Sequence, residues 1–166
     1  MKNIPKRKES MILMVHPFYP FGNPLSDTIS NFANFTSSSI KYKSTIIEIL
    51  TNISDIPIIV LDSRENINLM KNKFEGRFSS KTHFIESESE DNPIPIDISW
   101  DGLNLFIQKI TPKVKSVFVA GGFIWSTDQF QLNSGCLGHT ISEINKDLKD
   151  LTFEILDKDA VYFAIA

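Results

Sequence analysis

One cysteine, Cys136, stands alone among 166 residues. A lone thiol excludes an intramolecular disulfide framework and suits a reducing compartment, so the cytoplasm is the expected location. The chain also lacks an excess of positive charge: 17 Lys and Arg face 20 Asp and Glu, a formal net charge of −3. Attachment to nucleic acid by bulk charge is therefore not expected. No apolar run approaches the roughly 18–20 residues that a membrane span needs, and no membrane partner is expected either. The basic start (Lys2, Lys6, Arg7, Lys8) precedes only five apolar residues before Pro17 and Pro20 intervene, which does not read as a signal peptide. Phosphate-loop and dinucleotide fingerprints are absent, and Gly135-x-x-Gly138 alone does not replace them. Internal repeats and low-complexity segments are missing as well.

What remains is the length of one domain and a 42% hydrophobic composition, enough to bury a core without staples. A basic tail over residues 1–10, open to disorder, is expected to precede a single α/β domain over residues 11–166. Residues 11–15 (MILMV) are apolar on both faces, as a strand buried between two helical layers requires. Residues 26–53 read as two helices broken at Ser37-Ser-Ser39, although the β-branched pair Ile46-Ile47 keeps a strand open there. A second strand is expected over residues 56–61, a short helix through Ile67, Met70 and Phe74, and a third strand over residues 82–86. Residues 86–95 then read as an exposed acidic loop. Leu103, Phe106, Ile107 and Ile110 form a helical stripe that Asp97 or Ser99 can cap. A fourth strand over residues 116–120, a helix over residues 135–149, and two closing strands near residues 152–156 and 160–164 complete the chain. Strands alternating with helices predict a three-layer, doubly wound and mostly parallel α/β sheet, Rossmann-like in its layering.

In such sheets ligands bind beyond the carboxyl ends of the strands. Three of those ends carry polar groups or glycines: His16 after the first strand, Asp62 after the second, and Gly121-Gly122 after the fourth. Glycines let the chain turn sharply and approach a ligand closely. The connection that follows is about a dozen residues long, beyond the usual two to six, and long loops often serve function. Cys136 falls in the expected first turn of the next helix, where free amides and the helix dipole stabilise negative charge and can lower a thiol pKa. A small buried residue joining helix to strand is the alternative.

The second half of the chain resembles the isochorismatase-like cysteine hydrolases, the group that includes nicotinamidases. The resemblance rests on a strand ending in glycine and on Cys136 and Thr140, which reproduce a Cys-x-x-x-Thr spacing with Leu137 in place of the usual Val. Residues 152–159 resemble the strand and acidic residue that follow, and residues 11–21 overlay the family's first strand and downstream Phe. The resemblance implies a cysteine nucleophile acting on a small amide or related substrate; no cofactor and no metal are expected. His16 stands where the family has its catalytic Asp and could still act as a base. The family's catalytic Lys has no counterpart, the same region offering His83, Glu86 and Glu88. The loop before Cys136 is also longer than the family's.

Around Cys136 and His16 the expected ligand-binding residues are Asp62, Tyr19, Gly122, Trp125, Leu137 and His139. His139, three residues after Cys136, would share its helix face, and the pair with Asp62 or His16 could hold a transition metal, though no third ligand is spaced to join them. Phe18, Tyr19, Phe123 and Trp125 could line an apolar pocket, or form a lid or a contact in a homo-oligomer. Two functions follow: a cysteine hydrolase with a divergent site, or a non-catalytic relative that binds a small molecule or a protein.

Overall fold

A strand with apolar side chains on both faces is stable only between two apolar layers, and β1 (Ser10–Val15) is buried along its whole length. A computed structural model describes residues 9–22, 33–53, 55–124 and 132–164, and in it β1 lies inside an eight-stranded sheet. β1 pairs in parallel with β3 (Ile58–Ser63) on one side and with β6 (Ser116–Ile124) on the other. β3 continues in parallel to β4 (Thr82–Ser89), which pairs antiparallel with the edge strand β5 (Asn92–Pro95). Beyond β6, its first half pairs with β7 (Thr152–Ile155) and its second half with β8 (Val161–Ala164), both in parallel. The short β2 (Ala33–Phe35) lies antiparallel against β8.

The order β2-β8-β6-β1-β3-β4-β5 has one consequence for function. The chain moves outward from β1 through β3 to β4, then returns to the opposite side of β1 at β6. β1 and β6 are therefore followed by parallel partners on opposite sides, and such a switch point is where open parallel sheets place ligands.

After the single turn α1 (Tyr19–Gly22), α2 (Ser39–Asn52) and α3 (Arg64–Phe74) supply Tyr42, Ile46, Ile49, Leu50 and Met70 to a cluster with Ile12, Met14, Ile58 and Val60. On the other face, α4 (Trp100–Ile110) and α5 (Gly135–Asp147) supply Leu103, Ile107, Leu137, Ile141 and Ile144 to a cluster with Met11, Leu13, Val15, Val117 and Val119. Each such side chain, fully buried, contributes about 1.5–3 kcal/mol. Ser38, Ser63 and Ser99 start α2, α3 and α4 by accepting from the amides of Lys41, Asn66 and Gly102.

Two expectations change, and one open alternative closes. The helical span over residues 26–53 contains one described helix only, α2, preceded by β2. Ala33, expected on a helical stripe, is in that strand, while Ile29 and Phe32 lie outside the described residues. Pairing with β8 and hydrogen bonds from the Thr36 and Ser37 hydroxyls to Lys158 and Asp159 tie this segment to the end of the chain. The pair Ile46-Ile47 is helical, because Ile46 completes the apolar stripe of α2. The acidic stretch 86–95 is a hairpin and not a loop: Glu88 and Glu90 are exposed while Ser87, Pro93 and Pro95 are buried. The alternation of a strand is hidden there because the exposed residues of its first half, Glu88, Glu90 and Asp91, are all acidic, and prolines are tolerated on an edge strand that donates to no further neighbour. Smaller shifts follow from the ladders: β3 starts at Ile58, β6 runs on to Ile124 and α5 stops at Asp147.

Candidate functional site

β1 ends in an unusual bend. His16 has φ 49°, a left-handed conformation uncommon for residues other than glycine, and it precedes a proline. Four short hydrogen bonds hold the bend, besides a longer one from the Tyr19 amide to the His16 carbonyl at 3.4 Å. The His16 amide donates to the Leu61 carbonyl at 2.8 Å, and the Phe18 amide donates to Asp62 Oδ2 at 2.9 Å. The Tyr162 hydroxyl donates to the His16 carbonyl at 2.6 Å, and the Tyr42 hydroxyl to the Pro17 carbonyl at 2.7 Å. Both tyrosines are buried, their rings edge to face at 5.4 Å. Neither was distinguishable in the sequence from core aromatics; their hydroxyls matter only because the fold aims them at one turn. Strain of this kind persists where its surroundings over-determine it, and it is concentrated at functional sites.

The glycines at the end of β6 serve this bend. Gly121 has φ 95°, and a Cβ on it would sit 2.1 Å from the Val15 carbonyl oxygen. A Cβ on Gly122 would sit 2.6 Å from the Tyr162 ring. Gly122, expected to let the chain approach a ligand, instead makes room for the tyrosine that holds His16. Replacing Tyr162 by phenylalanine keeps the ring and leaves the His16 carbonyl without that donor. The expected loss is about 1–3 kcal/mol in urea unfolding, with a change in the His16 ring resonances. Unchanged resonances would mean that Tyr162 only fills space.

The His16 ring is fully buried. Its Nε2 lies 3.3 Å from Ser87 Oγ, and its Nδ1 has no hydrogen-bond partner among the described residues. Burial pushes the His16 pKa down to about 4, so the ring is neutral near pH 7; the Asp91 carboxylate and the backbone of Ser89 and Asn92 work in the opposite direction. Asp62 is also buried. Besides Phe18, its carboxylate accepts from the Ser63 amide at 2.8 Å and Asn66 Nδ2 at 3.2 Å. Burial pushes its pKa up to about 7 despite these three donors, and the charge of Glu90 adds to the rise.

Cys136 is the second residue of α5 and is half-buried. Its thiol donates to the Asp91 carbonyl, with sulfur and oxygen 3.3 Å apart. Thr140, the second member of the Cys-x-x-x-Thr spacing, donates to the Cys136 carbonyl at 2.8 Å. Leu137 points into the core beneath them. The β4–β5 hairpin thus meets both principal candidates: Ser87 faces His16, and Asp91 faces Cys136. Tyr19 stacks on Tyr162 at 6.2 Å, and burial with the charges of Glu90 and Asp91 pushes its pKa up.

Other expected residues lie elsewhere. His139 is exposed, 3.8 Å from Glu143 and 5.7 Å from the Trp100 ring centroid. Although it shares a helix with Cys136, it joins the α4 side of α5. Phe18 is core, packed against Phe21 and Phe84. Of the groups near the place of the missing lysine, Glu86 pairs with Arg64 at 2.8 Å, His83 packs on Phe106, and Glu88 is exposed. Trp125 and the side chain of Phe123 lie outside the described residues. Among the described residues no three metal-ligating groups converge, and no helix is long and apolar enough to cross a membrane. A surface groove of about 500 Å³, lined by Phe21, Lys43, Ile47 and Lys73, contains neither His16 nor Cys136. Comparison with protein-family models, with curated proteins and with solved structures finds no match.

Proposed function

We propose that this chain is a divergent member of the isochorismatase-like cysteine hydrolases, a three-layer, doubly wound domain that cleaves a small amide or related substrate. One observation carries the proposal. Cys136, in the first turn of α5, and the buried His16, at the end of β1, both contact the hairpin that closes the carboxyl end of the sheet. The thiol proton passes to His16, and the sulfur attacks the substrate carbonyl carbon. Amides at the start of α5 stabilise the oxyanion. The amine leaves with the proton held by His16, and water then hydrolyses the thioester, restoring the thiol. Asp62 is a positioning residue: through the Phe18 amide it fixes the bend that carries His16.

The test is the rate of Cys136 alkylation by iodoacetamide against pH. An apparent pKa well below about 8.5, with rapid labelling of the folded chain, is expected of a nucleophile. Labelling only on unfolding would overturn the proposal. A second reading, a relative of the same fold that binds a small molecule without turnover, is favoured by the burial that disfavours a charged His16. Under that reading a bound ligand protects Cys136 from alkylation and is recovered unchanged.

A further inference from the structure

Among the described residues, the charges that bear on this site share one sign. Glu90 and Asp91 form the turn of the β4–β5 hairpin, with the backbone of Asp91 on Cys136 and its carboxylate close enough to act on His16. Asp62 lies beneath the bend, and Glu65, in the first turn of α3, adds its charge to Glu90. Arg64, the cation beside Glu65 in sequence, is engaged by Glu86 through both Nε and a terminal nitrogen, at 2.9 and 2.8 Å.

A second, independent feature points to a ligand. His16 Nδ1 is a fully buried polar atom with no hydrogen-bond partner among the described residues, on a ring whose other nitrogen, Nε2, faces Ser87 of the same hairpin. Such an atom is costly unless something bonds to it. The burial that keeps this imidazole neutral means that it adds no positive charge to offset the carboxylates. Tyr19, Asp62 and Glu90 are each pushed upward by neighbouring carboxylates as well as by burial.

We propose that the site bounded by Cys136, His16 and the turn of Glu90 and Asp91 takes a small molecule bearing an ammonium or amidinium group and disfavours carboxylates and phosphates. The positive group lies against the Glu90 and Asp91 side, and a polar atom of the ligand meets His16 Nδ1. This ligand class deepens the function proposed above and rests on it for the place of binding, not for the chemistry performed there.

Three nearly isosteric probes differ chiefly in charge: benzamidinium, benzamide and benzoate. Each is titrated into the full chain while the His16 ring resonances are followed by NMR. Benzamidinium is expected to shift them at concentrations at least tenfold below benzoate, with benzamide between. Salt should narrow the gap, because the turn is exposed. The double variant Glu90→Gln, Asp91→Asn should abolish the preference. Benzoate binding as well as benzamidinium, or no His16 response to any probe, would overturn the inference. Failure of the two proposals is distinguishable: a chain whose His16 responds to benzamidinium while Cys136 resists alkylation binds cations and is no cysteine hydrolase. A chain with rapidly labelled Cys136 and no charge preference is the reverse.

Discussion

Replacing Gly121 by alanine is expected to cost about 4 kcal/mol or more, enough to unfold many domains of this size. Two effects add. The residue is held at φ 95°, where an L side chain is strained, and the new Cβ would lie 2.1 Å from the Val15 carbonyl oxygen. That neighbour is backbone and cannot rotate aside. Gly121 is also the register partner of Val15 at the carboxyl end of the β1–β6 ladder. Relief therefore requires the two central strands to part, next to the bend that carries His16. Gly76 provides the control, since it has φ 76° and a Cβ added there would meet nothing within 4 Å. Alanine there should cost only the left-handed strain, about 1–2 kcal/mol. Urea unfolding of the two variants separates the effects. If Gly121→Ala lost no more than Gly76→Ala, the close approach of β1 and β6 would be wrong.

Much of this architecture is legible in the residue order, because its largest elements use signals that local context does not override. Continuous apolarity marked β1 and β3, and the stripe of Leu103 and Ile107 marked α4. The edges of the sheet were not legible. β5 is an antiparallel return with proline at two of its four positions, and β2 is three residues long; both exist by pairing with distant partners. The site divides in the same way. His16, Asp62 and Cys136 could be placed at strand and helix ends from sequence alone. The hairpin that meets His16 and Cys136 read as a solvated charge run, and the tyrosine clamp depends on contacts across 25 and 146 residues of chain. Thr140 and Leu137 fit the spacing of a hydrolase motif, yet their side chains serve the α5 backbone and the core.

The stability of the folded chain should show two opposed pH dependences that single variants expose. Asp62 titrates at about 7 when folded, against an ordinary value of 3.8, so between these limits the folded state holds a proton that the unfolded state has released. Its contribution to stability therefore falls as pH rises from about 4 to 7. His16 titrates at about 4 when folded, against an ordinary 6.5, so in that window the unfolded state holds the extra proton. Its contribution rises with pH over the same range. Each shift corresponds to roughly 3–4 kcal/mol, so the two nearly cancel between about pH 4 and 6.5. Asp62→Asn removes the falling term, and the difference from the parent chain should grow in favour of the variant as pH rises. His16→Asn, chosen because asparagine tolerates a left-handed bend, removes the rising term and should leave a chain that weakens from pH 4 to 7. Each substitution also costs a constant amount, since Asp62 accepts three hydrogen bonds that asparagine cannot all replace. Slope, not absolute stability, is therefore the quantity to compare, and urea midpoints at half-unit pH intervals provide it. Parallel slopes in all three chains would mean that neither group is held away from water in the way that positions His16 beside the hairpin.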